Sequence, residues 1–243
     1  MLIATLNHNL PNWTDNLVNQ LMRDPMFSQC ELMVIDNGSS EPLAKTTTHQ
    51  LEQNIFFGGG FNVVLEYFLT TNHDYLYFLN NDLVFHGPRF ISQSLEEAKF
   101  TDASVYSPSV INASMEQCHW KQMWNWGSGC RSVKWIDFQC PLLRRDILEK
   151  IKQFPDELIY GWGLDFYAGI VAETNGLKTI VSDNNTITHM NSLTFKENKI
   201  NIGVNEFCQN ADNNMQNFFR NSEFNSLYLD LRTYGESYNI ISH

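Results

Sequence analysis

Tyr75-Leu76-Tyr77-Phe78-Leu79-Asn80-Asn81-Asp82-Leu83 is the stretch whose reading decides the fold class. Its apolar and aromatic side chains run on without alternation up to Leu79, as in a strand covered on both faces, the setting of a parallel sheet between helices. The run stops at Asn80-Asn81-Asp82, where the chain leaves the sheet. Open α/β sheets bind ligands at the carboxyl ends of their strands, so this polar cluster is a candidate site. Asp82 there can ligate a hard cation that bridges diphosphate oxygens. It can equally cap the next segment.

Working outward, Leu32-Met33-Val34-Ile35 is a second continuous apolar run, and it ends at the turn cluster Asp36-Asn37-Gly38-Ser39-Ser40. Leu2–Leu6 reads as a first strand. Asn12–Met22 has Leu17, Val18 and Leu21 on one helical face, and Phe61, Val64, Leu65, Phe68 and Leu69 share helical spacing. Strand–helix alternation of this kind predicts a mainly parallel sheet with helices on both faces. Downstream, Ser104–Tyr106 and Val133–Phe138 read as strands and Arg145–Ile151 as a short helix. Residues 155–163 read as a loop, and Asp165–Asn175 as a helix closed by Gly176. Lys178–Val181 and Thr186–Thr188 read as two strands around a Ser182–Asn185 turn. The Trp-rich stretch 108–130 receives no assignment. Beyond about residue 195 an irregular, Asn-rich tail carries one amphipathic segment near Phe218, Phe219, Leu227, Tyr228 and Leu231.

Composition excludes several classes. The chain has 243 residues, 43% of them hydrophobic, with a net charge of −11. That balance disfavours nucleic acid, whose phosphates call for clustered Lys and Arg, and strong docking to an anionic membrane. No window approaches the roughly 18 apolar residues of a spanning helix, and no charged n-region precedes an apolar stretch. The five cysteines form no Cys-x-x-Cys pair, which points to reduced thiols and a cytoplasmic setting, peripheral membrane attachment remaining open. Cys118, His119 and Cys130 fit no common zinc spacing.

Three motifs in order carry a family resemblance. Leu79-Asn80-Asn81-Asp82 resembles the Leu-Asn-x-Asp variant of the acidic motif of glycosyltransferase family 2. Val34-Ile35-Asp36-Asn37-Gly38-Ser39 resembles that family's Val-Val-Asp-Asn-Gly-Ser, and Asn54-Ile55-Phe56-Phe57-Gly58-Gly59-Gly60-Phe61-Asn62 its Asn-x-Gly-Phe-x-Gly-Gly-x-Asn. Leu142-Leu143-Arg144-Arg145, Phe154-Pro155-Asp156-Glu157 and Gly161-Trp162-Gly163-Leu164-Asp165 continue it more loosely. The Gly-Trp-Gly wording is similar to galactosyltransferases, and Thr188-His189 followed by Ser192 sits where many members place a metal-ligand histidine. The resemblance covers roughly residues 1–195.

What the resemblance implies is a GT-A fold, an α/β nucleotide-diphospho-sugar transferase domain. Residues 1–195 would form it, with a nucleotide-sugar half to about residue 100 and an acceptor half beyond, and 196–243 would be a polar, helical extension. The activity implied is inverting transfer of a sugar from a UDP-, dTDP- or GDP-sugar to a glycan or glycoconjugate hydroxyl, with Mn²⁺ or Mg²⁺. Thr5, Asn7, Asp36, Asn37, Gly59, Gly60, Asn62, Asn80 and Asn81 would contact the donor, the glycines by letting backbone approach it. Turn formation is the alternative for Asp36 and Asn37, and a tight turn for the glycines. Asp82 and His189 would hold the metal. Asp165 would be the catalytic base, or else an N-terminal helix cap. Asp137, Trp162 and Gly163 would meet the acceptor, Trp162 by stacking on a sugar ring.

Asn80 departs from the acidic motif and removes one carboxylate. A domain that keeps the fold and binds sugar or nucleotide without catalysis is therefore the second reading. A nucleotidyltransferase should carry a Gly-rich basic loop after the first strand, and Asn7-His8-Asn9-Leu10-Pro11 is not one.

Overall fold

The computed structural model describes residues 1–111, 118–190 and 203–240. Its elements run β1 (Leu2–Asn7), α1 (Pro11–Leu21), β2 (Glu31–Asn37), β3 (His49–Leu51), α2 (Phe56–Thr70), β4 (Tyr75–Leu79), β5 (Leu83–Phe85), α3 (Phe90–Thr101) and β6 (Ala103–Val110). They continue with β7 (Cys130–Ser132), β8 (Leu142–Arg144), α4 (Arg145–Ile151), α5 (Leu164–Thr174), β9 (Lys178–His189), α6 (Val204–Asn221) and α7 (Asn225–Ile240). The sheet order is β3-β2-β1-β4-β8-β6-β9-β5, with β7 also on β9. β3, β2, β1 and β4 are mutually parallel. β8 then enters antiparallel between β4 and β6, and β6 pairs parallel with β9. Mostly parallel pairing between helical layers is the α/β class that the run through Leu79 predicts.

β4 is buried along its whole length because helices cover both faces. On one of them α2 presents Phe61, Val64, Leu65 and Phe68, and the Phe61 ring stacks on Phe78 with centroids 4.2 Å apart. Helix starts are set from a distance. Asn7 Oδ1 accepts the Leu10 amide and the Thr14 hydroxyl at the opening of α1. Asp24 accepts the Ile91 and Ser92 amides in the first turn of α3, where a carboxylate suits the helix dipole. Arg145 Nε and Nη2 donate to the His73 and Thr71 carbonyls, tying α4 to the end of α2.

Three expectations change. Val133–Phe138 is not a strand: β7 ends at Ser132, and Trp135, Ile136 and Phe138 are buried in an irregular connection. Trp135 there donates its indole hydrogen to the Leu231 carbonyl of α7 at 2.9 Å. The two short strands expected around Ser182–Asn185 are one strand, β9, whose register against β6 shifts between Pro108 and Ser109. Asp183 in that irregular step is buried and takes Arg131 and the Trp126 and Ser128 amides, so polar residues are accommodated inside a strand. The tail, expected to be a helical extension with one amphipathic segment, carries two described helices, and Met215, Phe219, Tyr228 and Leu231 of α6 and α7 belong to the same core as the sheet. No described helix is long and apolar enough to cross a membrane. Ser192 and the expected boundary at residue 195 lie outside the described residues.

Candidate active site

A cavity of about 660 Å³ opens beyond the carboxyl ends of β1, β2 and β4. Leu6, His8, Asn37 and the Leu79–Asp82 segment line this side. The polar residues here mostly hold one another. Asn7 Nδ2 donates to Asp36 Oδ1 at 2.8 Å, and Asp36 Oδ2 accepts the Ser39 amide. Asn37 Nδ2 donates to Asn54 Oδ1 and the Phe56 carbonyl, while its Oδ1 accepts the Ile55 amide. Those bonds shape the turn into α2, where Phe56 takes a φ of 57°.

The sequence-derived donor contacts therefore divide. Asn37, Asn80 and Asn81 line the cavity, whereas Thr5, Asn7, Asp36, Gly59, Gly60 and Asn62 do not. Asn62 instead clamps Phe154, donating to its carbonyl and accepting its amide. A Cβ on Gly60 would meet the Leu6 side chain at 2.5 Å, so that glycine lets α2 pack on β1. His8, part of the loop to Asn9 expected along the nucleotide but not singled out there, lines the cavity with its Nδ1 donating to the Asn37 carbonyl at 2.9 Å. The polar loop after β1 was its signal.

Asp82 and His189, 107 positions apart in the chain, meet because β5 pairs antiparallel with β9 and puts Leu83 opposite His189. His189 Nε2 lies 3.1 Å from Asp82 Oδ1, and both side chains are buried in the cavity wall. Among the described residues no three His, Cys, Asp or Glu side chains gather as a metal site. A carboxylate and an imidazole side by side still fit a divalent ion whose other ligands come from a bound diphosphate. Asn80, lining the same cavity, adds a buried side-chain oxygen with no hydrogen-bond partner among the described residues.

Asp165 opens α5 and accepts the Phe166 amide at 2.8 Å. Gly163 just before it has a φ of 93°, and a Cβ there would strike Met215 of α6 at 2.9 Å. Asp137 comes from the irregular connection after β7, and Gln139 Nε2 donates to its Oδ2 at 2.9 Å. Both carboxylates line the cavity and are half-buried in its wall. Burial first, and the neighbouring Asp137 charge second, push Asp165 up to about 8. Burial also raises Asp137, against the pull of His189. Two carboxylates sharing a low-dielectric pocket cannot both ionise cheaply. Trp162 also lines the cavity and is 41% exposed.

α6 and α7 supply wall residues that the motifs did not reach, among them Phe207, Met215, Tyr228 and Arg232. Their signal was Gly235 inside an otherwise helical pattern, which calls for a packing reason. A Cβ there would meet the Trp135 and Trp120 rings at 2.8 and 2.9 Å.

No protein-family model and no curated protein sequence matches this chain. Solved structures do. GalNAc-T7 with UDP, GalNAc and Mn²⁺ is 9% identical with a TM-score of 0.62, over 77% of this chain and 43% of that one. The mannosyltransferase PcManGT from Pyrobaculum calidifontis, in complex with GDP-Man and Mn²⁺, is 11% identical with a TM-score of 0.55, over 76% of this chain and 55% of that one. S. aureus TarS 1–349 in complex with UDP-GlcNAc is 14% identical with a TM-score of 0.54, over 76% and 57%. The matched region spans about half the length of these neighbours. Identities this low speak for the fold, and the fold is GT-A, that of nucleotide-sugar glycosyltransferases.

Proposed function

We propose that this chain is a glycosyltransferase that moves a sugar from a UDP-, dTDP- or GDP-sugar to an acceptor hydroxyl with inversion at the anomeric carbon. One observation carries the reading: the Asp82–His189 pair and the Asp165 and Asp137 carboxylates converge on one cavity at the strand ends. Asp165 takes the proton of the acceptor hydroxyl as its oxygen bonds to the anomeric carbon. The bond from that carbon to the donor phosphate breaks, and the nucleoside diphosphate leaves. A carboxylate whose pKa burial lifts to about 8 is, once ionised, a stronger base than an exposed one. Gln139 holds Asp137, which faces the acceptor beside the base. Asp82 and His189 would hold Mn²⁺ or Mg²⁺, which would offset charge growing on the departing diphosphate. Asn80 and Asn81 lie along the donor, with Asn37 on the same wall fixing the turn beside it, and Trp162 offers a face to a sugar ring.

Nucleotide release from UDP-, dTDP- and GDP-sugars with Mn²⁺ or Mg²⁺ tests this, with NMR assignment of the product anomer for stereochemistry. Inverted product supports the proposal. A retained anomer refutes the single displacement. The second reading, a binding domain without catalysis, is favoured by Asn80 in place of an acid. Calorimetry separates the two, since heat of binding with neither transfer nor donor hydrolysis would leave only the second.

A further inference from the structure

The cavity is lopsided in charge. Among its described lining residues Asp82, Asp137, Asp165, Asp212 and Glu236 face a single Arg or Lys side chain, Arg232. Arg232 lies on α7, where its Nε donates to Glu236 Oε1 at 2.9 Å and its Nη1 to the Tyr228 hydroxyl at 3.1 Å. Tyr228 is 4% exposed and rigidly held. Its ring stacks on Phe219 with centroids 4.3 Å apart and planes 2° from parallel, and meets Phe166 edge-on at 5.1 Å. Phe166 directly follows Asp165. The guanidinium is thus tied through one fixed ring to the helical turn that carries the base.

The seat of α7 is built with equal care. Glycine inside a helix is unfavourable relative to alanine, yet Gly235 lies between Arg232 and Glu236 because only a bare Cα fits against Trp135 and Trp120. Lys121 pins the far end, its amide and ammonium both donating to Asn239. An exposed i,i+4 ion pair does little for stability by itself, so this arrangement asks for another purpose.

A guanidinium beside a carboxylate offers donors and acceptors together. Each of two adjacent hydroxyls can accept from the one and donate to the other. The exposed Trp162 face lines the same cavity and suits the apolar side of a pyranose. An acceptor bearing its own carboxylate or phosphate would enter a cavity lined by five acidic side chains, its one arginine already paired with Glu236. We propose that Arg232 and Glu236 form the acceptor subsite and select an uncharged sugar presenting two adjacent hydroxyls. The inference rests on the transferase reading for its biological sense, but it has its own readout.

Saturation-transfer NMR on the metal-free full chain, with methyl β-D-galactopyranoside, methyl α-D-mannopyranoside and methyl β-D-glucuronide as probes, provides that readout. At least one neutral glycoside binds the wild type, at least tenfold more tightly than the glucuronide. Arg232→Met, Arg232→Lys and Glu236→Gln each weaken it at least tenfold with little change in melting temperature, Lys failing because it lacks the planar fork. Where donor turnover is present, the acceptor KM rises at least tenfold while the donor KM moves less than twofold. Glucuronide binding as tightly as the neutral glycosides, no glycoside binding to the wild type, or wild-type affinity in all three variants would each overturn the subsite. Glycoside binding that depends on Arg232, in a protein that turns over no donor, would overturn the transferase reading and leave the subsite standing.

Discussion

Side chains at the strand ends hold each other, while side chains on the helical wall face the space between them. Asn7, Asp36, Asn37 and Asn54 direct their hydrogen bonds to neighbouring loops, leaving mainly backbone, His8 and the Asn80–Asp82 turn to meet a ligand. Opposite them Asp137, the Trp162–Asp165 stretch and Arg232 come from three separate segments and line the cavity. The strand-end side is preorganised by its own network, as a site for a constant ligand should be. The helical side is assembled from distant pieces, as a site for chemistry and selectivity often is. Mutations on the first side should therefore cost stability, and those on the second should cost rate.

The sharpest test of the helical side is Asp165→Asn. Transfer should fall by about 10³-fold, the range of a lost general base, with melting at neutral pH unchanged or raised. Full activity in a folded Asp165→Asn protein would remove the base from Asp165. At the junction of the two sides, Asp82→Ala should raise the metal concentration for half-maximal activity by about 100-fold, at or above the cost of disturbing a ligand's support. Titration of nucleotide release with Mn²⁺ reads this directly, and His189→Ala should behave alike. On the strand-end side, Asn37→Ala removes three hydrogen bonds to the turn before α2. It should cost about 2–3 kcal/mol in chemical denaturation, and weaken donor binding only through the loosened turn. A large loss of rate with unchanged stability would erase the contrast between the sides.

How much of this was legible in the sequence follows the same division. β4 and the Asp82 just beyond it were readable because a buried parallel strand writes an unbroken apolar run, and the chain must turn polar on leaving it. The residue types Asn7, Asp36 and Asn62 stood out, but their partners did not, since the Asn62–Phe154 clamp bridges 92 positions. Periodicity could not tell the apolar Val133–Phe138 stretch from a strand, because burial in an irregular segment selects the same residues. Leu227, Tyr228 and Leu231 marked an amphipathic helix, yet nothing in their spacing said that its seat is Trp120 and Trp135. His189 needed the β5–β9 pairing to find Asp82. Local pattern carried the sheet, while the site depended on contacts between elements far apart in the chain.

The smallest effect expected is a pH dependence inside the helical side, best read on metal-free protein. Burial, and secondarily Asp137, raise Asp165 from an ordinary carboxylate value of 3.8 to about 8. The native state then binds a proton more tightly than the unfolded chain, so stability falls as pH rises across that interval and levels off above it. Melting temperature should drop between about pH 5 and pH 8, and Asp165→Asn should flatten the drop. Asp137→Asn removes the second cause but not the first, so it should shallow the slope without abolishing it. In transfer assays the same substitution should shift the acid limb of kcat/KM to lower pH, because the base ionises more readily once its charged neighbour is gone. A limb that stays in place, or moves to higher pH, would mean that Asp137 and Asp165 do not share one electrostatic environment, and the convergence on a single pocket would lose its chemical meaning.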